Sequence, residues 1–182
     1  MNPCLKPKKK IKCSICPTKF IKFSSTQRCC SLACAIKQAE KDKKKRERKE
    51  TKLKLDSIKS LSEHLKEAQT AFNRFIRERD KNELCISCQK IGKKRNAGHY
   101  RTVKAAPQLR FSEDNCHGQC EHCNSYLSGN ITEYRINLVK KIGVERVEEL
   151  ERNNTIAKYT IEDAKRIKKE YKEKAKELGI EA

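Results

Sequence analysis

The chain has 182 residues with 44 Lys and Arg against 24 Asp and Glu, a formal charge of +20, and only 36% of its residues are apolar, none of them Trp. That composition argues against one large hydrophobic core, and no stretch approaches the roughly 18 apolar residues of a membrane span. Eleven cysteines remain as the other means of holding a fold. No apolar segment of secretory type follows the Lys-rich start, so the expected setting is a reducing cytosol, where paired cysteines ligate metal.

Residues 1–36 read as an N-terminal zinc knuckle. Cys13-Ser14-Ile15-Cys16 and Cys30-Ser31-Leu32-Ala33-Cys34 are short pairs whose turns bring two thiolates each to one tetrahedral ion. Cys29 competes with Cys30 as ligand, and Cys4 has no partner at useful spacing. Residues 37–56 carry almost only Lys, Arg and Glu, without Gly or Pro, which fits a basic helix or a linker. The first 54 residues hold 18 Lys and Arg against 4 Asp and Glu. A polyanion is the partner such an arm selects. Lys8, Lys9, Lys10, Lys12, Lys43, Lys44, Lys45, Arg46, Arg48 and Lys49 are its candidate phosphate contacts, and a solvated spacer is the alternative.

Over 57–82 the apolar residues Ile58, Leu61, Leu65, Ala68, Phe72 and Phe75 recur at helical spacing, with a Ser60/Glu63 capping box near the start. The stripe needs a cover, from the domain that follows or from a second chain. Residues 83–130 contain the most informative pattern. Cys85-x2-Cys88 and Cys120-x2-Cys123 make one four-sulfur zinc site, the first pair in a turn and the second at a helix start. Such a site supplies on the order of 10 to 16 kcal/mol of coupled folding energy. A closed shell activates no water, so catalysis needs other residues. Between the pairs lies a candidate strand, Ala97 to Val103. Residues 131–182 read as C-terminal helices, with boxes at Asn130/Glu133 and Thr160/Asp163 and stops at Gly143 and Gly179.

The two cysteine pairs, His99 between them, Asn115 and Asn124 resemble the HNH or His-Me finger nucleases. More narrowly, Phe75-Ile76-Arg77-Glu78-Arg79-Asp80, Ala97-Gly98-His99-Tyr100-Arg101-Thr102, Ala105-Ala106-Pro107-Gln108-Leu109-Arg110-Phe111 and Ser128-Gly129-Asn130 resemble the NinG (Rap) recombination proteins of lambdoid phages, over nearly the whole chain. The resemblance implies an α+β, mostly helical fold: a zinc-stabilised ββα core of treble-clef or HNH type, long flanking helices and the N-terminal knuckle. It also implies a structure-selective endonuclease that cleaves branched DNA such as Holliday junctions, in the cytoplasm of the bacterial host, away from membranes. Selectivity for branches needs shape, which a long basic helix or a homodimer spanning two arms provides, and an adaptor for other phage recombination proteins, using the Ile58 to Phe75 stripe, is a further reading.

Phosphodiester hydrolysis needs a base for water and a cation for the phosphate. By the resemblance, His99 is the base, Asn115 orients its ring, and Asn124 gives a neutral oxygen to Mg2+ or Mn2+. Many HNH enzymes place a ligand just before the histidine, where this chain has Gly98. Either water and DNA oxygens complete the metal shell, or His117 supplies a ligand. Arg101, Lys104 and Arg110 are candidate phosphate contacts near the cut. The competing reading is a zinc-dependent nucleic-acid-binding module without catalysis.

Overall fold

The computed structural model describes residues 10–91 and 95–179, which form two units, Met1–Lys59 and Ser60–Ala182. Lys8, Lys9 and Cys4 lie outside the described residues.

In the first unit, β1 (Ile11–Lys12) pairs antiparallel with β2 (Lys19–Phe20), and the turn between them carries Cys13 and Cys16. A loop then leads to Ser31, whose hydroxyl accepts from Cys34 N at 3.3 Å and caps α1 (Leu32–Ile58). The stretch read as helix or linker is therefore helix. It begins inside the expected knuckle and carries Cys34 on its first turn. With 27 residues α1 is about 40 Å long. It buries no residue and is supported by i,i+4 pairs such as Lys54–Glu50 at 3.1 Å.

The second unit begins with the expected capping box. Ser60 Oγ accepts from Glu63 N, Glu63 Oε2 accepts from Ser60 N at 2.8 Å, and α2 runs Leu61–Arg79. Its buried face, Ala68, Ala71, Phe72, Phe75 and Ile76, is covered from within the chain by Ile167, Tyr171 and Ala175 of α5 (Ile161–Glu177). Phe72 meets Tyr171 edge to face at 4.8 Å. Ile58 does not join this stripe. It belongs to α1 and is 77% exposed, because extended backbone at Lys59 separates the two helices.

β3 (Arg95–His99) and β4 (Cys116–Cys120) form an antiparallel hairpin in which His99 pairs with Cys116 and Arg95 with Cys120. The expected strand thus starts two residues earlier and ends at His99. One face of the hairpin, Ala97 and Cys116, packs against the α2–α5 core. The other meets α3 (Ile131–Ile142): Tyr134 donates to Gly98 O at 2.9 Å, and its ring centre lies 6.4 Å from that of His117. Gly143, at φ +89°, ends α3 and permits the turn into α4 (Val144–Arg152), whose Val147 and Leu150 complete a second apolar cluster with Tyr100, Leu109 and Leu138. Asn130 makes no capping box. It adopts φ +44° and turns its side-chain amide toward Cys123 Sγ at 3.9 Å.

Candidate metal centres and the His99 hairpin

Two sets of four sulfurs converge, with all Sγ atoms of each set within 4.8 Å of one another: Cys13, Cys16, Cys30, Cys34 and Cys85, Cys88, Cys120, Cys123. Four ligands about 2.3 Å from a tetrahedral zinc stand about 3.8 Å apart. The separations are 3.5 Å for Cys16–Cys30, 3.8 Å for Cys34–Cys16, 3.9 Å for Cys30–Cys34 and 3.8 Å for Cys88–Cys120, so both donor sets fit the ion. Cys30, not Cys29, completes the first set; Cys29 is buried beside it.

At Cys13, and against burial at Cys85, backbone donors favour the thiolate form. Ile15 N, with the backbone of Cys16 and Cys30, brings Cys13 down to about 6. In the second set Cys120 N donates to Cys85 Sγ at 3.3 Å and Cys123 N to Cys120 Sγ at 3.4 Å. The Cys85–Cys88 turn closes through Cys85 N to Lys90 O, Cys120 ends β4, and Cys123 sits on a π-helical turn, His122–Tyr126. Zinc in these sites would have sulfur on all four sides, a structural shell.

His99 ends β3 at the hairpin's loop. Its Nε2 lies 3.0 Å from Arg110 O, its Nδ1 3.7 Å from Cys116 Sγ, and its ring 6.1 Å from Phe72. A carbonyl only accepts, so Nε2 carries the proton and Nδ1 the lone pair. Burial, helped by the Arg110 charge, lowers this imidazole below its ordinary value and keeps it neutral. The same burial raises the Cys116 thiol, leaving it protonated.

Asn115 does not orient the ring. Its buried side chain receives Arg101 N at 2.8 Å and donates to Arg101 O and Leu109 O, pinning the loop between the strands. Only its backbone reaches the His99 region, through Tyr100 N to Asn115 O at 2.8 Å. His117 is no spare ligand either. Its Nδ1 meets Arg79 Nη2 at 3.1 Å and its Nε2 meets Asp114 O, on the hairpin face opposite His99. Burial and the Arg79 guanidinium push it down to about 4. Asn124 is half-buried directly after Cys123, beyond the end of β4 that pairs with Arg95. That end is about 13 Å along the strand from His99.

Two of the expected phosphate contacts have partners within the fold. Arg101 Nη1 donates to the carbonyls of Leu150, Glu151 and Asn153 and so caps the end of α4. Arg110 donates to Gln69 Oε1 and Leu65 O of α2. Lys104, Lys10 and Lys12 are exposed, as are Lys43, Lys44, Lys45, Arg46, Arg48 and Lys49 on α1.

Two buried networks escape sequence reasoning. Arg79 grips Asp80 at 2.6 Å and Cys116 O at 2.9 Å, while Asp80 Oδ2 accepts from Gly118 N at 2.6 Å. Burial alone would raise Asp80, yet Arg79 and this N–H hold it below the usual carboxylate range. The signal was an acid at the C-cap of α2, where the helix dipole disfavours it. In the second network Gln119 Nε2 donates to Ser87 Oγ at 2.6 Å and Gly129 O at 2.5 Å, tying β4 to the Cys85–Cys88 turn. Its Oε1 overlaps the space a Cβ on Gly98 would need.

The class defined by these features is a small α+β protein built around two four-cysteine clusters of zinc-binding geometry. The chain belongs to the NinG family: the family model described as "Bacteriophage Lambda NinG protein" matches residues 5–181. It is 50% identical over 123 residues to protein ninG of Escherichia phage lambda, covering 67% of this chain and 60% of that relative. With protein ninG of Escherichia phage 933W it is 42% identical over 186 residues, covering 92% of each. Protein ninG of Salmonella phage P22 is 47% identical over 123 residues, 67% of this chain and 61% of that one. No solved structure matches the chain. Among the described residues no helix is long and apolar enough to cross a membrane.

Proposed function

We propose that this protein is a metal-dependent endonuclease of branched DNA, with His99 as the base that activates water. The observation that carries the reading is a neutral imidazole, tethered by the Arg110 carbonyl, at the loop end of a hairpin whose other end enters a four-cysteine cluster. Neutrality is the state a general base requires. A net charge of +20, about +16 with two zinc-bound clusters, supplies attraction for phosphates.

In this reading the Nδ1 lone pair must leave Cys116 and meet water when DNA binds, since catalytic hydrogen bonds commonly form only in the complex. Among the described residues His99 and His117 belong to no cluster of three or more His, Cys or carboxylate donors. Asn124 is then the one protein oxygen assigned to Mg2+ or Mn2+, and water and DNA oxygens make up the rest of the shell. Bound there, the ion would stabilise charge on the phosphate.

A second reading, a zinc-dependent DNA-binding module without cleavage, is favoured by one observation. Nδ1, the nitrogen that would take the proton from water, faces the buried thiol of Cys116. Wild type and His99→Ala, incubated with Mg2+ and either four-way or linear duplex DNA, separate the two. The endonuclease reading expects junction cleavage to fall at least a hundredfold in the variant, with zinc content and DNA binding retained. Undiminished cleavage by His99→Ala overturns it, and no cleavage by wild type leaves the binding module.

A further inference from the structure

The first unit carries a charged and aromatic surface apart from the four sulfurs of its cysteine cluster. Lys12 and Lys19 stand directly opposite each other across the β1–β2 pair, both exposed. Like charges in that register destabilise a two-stranded ribbon, which has little stability of its own. From Lys10 to Ser31 the chain has five Lys and Arg and no Asp or Glu, so nothing within the segment answers the pair. Arg28 is met by Asp42 of α1 at 3.6 Å.

Four residues after Lys19, and so within about 14 Å of it along the chain, Phe23 is 98% exposed. Its loop is built rather than loose: Phe23 N donates to Gln27 Oε1 at 2.8 Å, and Lys22 Nζ donates to Ser25 O at 3.2 Å. Ile21 beside it is 44% exposed. A displayed ring within about one to two nucleotide lengths of a pair of cations can hold single-stranded nucleic acid, the ring taking a base face and the cations a phosphate. An intact duplex offers the phosphates but no unstacked base for the ring.

We propose that the N-terminal unit binds an unpaired stretch of nucleic acid, with a base stacked on Phe23 and a neighbouring phosphate held between Lys12 and Lys19. The site needs no cleavage chemistry, and it would direct the protein to DNA with an open strand.

The chain contains no Trp, so Phe23→Trp introduces a single indole reporter. The full-length protein is titrated with a ten-nucleotide oligothymidine without Mg2+. The expected results are quenched indole emission in Phe23→Trp, near wild-type affinity in that variant, and a roughly tenfold loss in Phe23→Ala and Phe23→Leu with zinc content unchanged. Replacing both lysines with Gln should flatten the salt dependence by about 0.7 in log–log slope for each phosphate no longer neutralised. Wild-type affinity in Phe23→Ala, or indole emission unaffected by the oligonucleotide, overturns the proposal. Because cleavage is not read, this test and that of His99 fail independently.

Discussion

His117 shows how one residue can carry a pH dependence of the whole fold. Its folded value of about 4 lies below the ordinary 6.5, because burial and the neighbouring guanidinium disfavour the imidazolium. The unfolded chain therefore binds the proton first as pH falls. The stability this contributes is complete above pH 6.5 and is lost as pH drops toward 4, by on the order of 3 kcal/mol. His99, lowered in the same direction, adds to the slope. Denaturant unfolding between pH 7 and 4 should show a clearly shallower decline in His117→Gln; an unchanged decline would mean that this ring is not the titrating group. Asn115 behaves differently. The resemblance to the HNH nucleases gave it the histidine ring as partner, but its amide is consumed by backbone groups of the loop.

At the scale of elements, the hairpin depends on a glycine that the sequence offered only as a departure from a family pattern. Gly98 has no side chain because Gln119 fills that space, with Gln119 Cβ 3.0 Å from where a Cβ would sit. Gly98→Ala should cost about 1–3 kcal/mol in thermal unfolding, and Gln119→Ala in the same chain should recover part of it; additive losses would contradict the packing. Elements governed by local rules were legible. The Ser60/Glu63 and Thr160/Asp163 boxes form as their side chains require, because their partners are three residues away. The Asn130 box failed because that residue's left-handed backbone serves the turn after Cys123 instead. Arg79 and His117, like α5 and α2, lie tens of residues apart in sequence, and no local signal marks their meeting.

For the whole molecule, charge and sulfur were the readable quantities. A chain with an exposed basic helix and this net charge should bind DNA mainly through phosphates. If about six are neutralised, affinity should fall roughly a thousandfold between 50 and 200 mM salt, and a flat response would remove α1 from the interface. The cysteine spacings marked both clusters correctly but left Cys29 and Cys30 unresolved, since adjacent residues on a turn differ only in which way the side chain points. The pairing of His99 with Cys116 was not legible, because it depends on hairpin register. Zinc counting by elemental mass spectrometry tests the organising role of the clusters most directly. A fold held by two four-sulfur sites predicts two ions per chain in wild type and Cys29→Ser, and one in Cys30→Ser and in Cys120→Ser. A well-folded wild type without zinc, or two ions retained in Cys120→Ser, would contradict it.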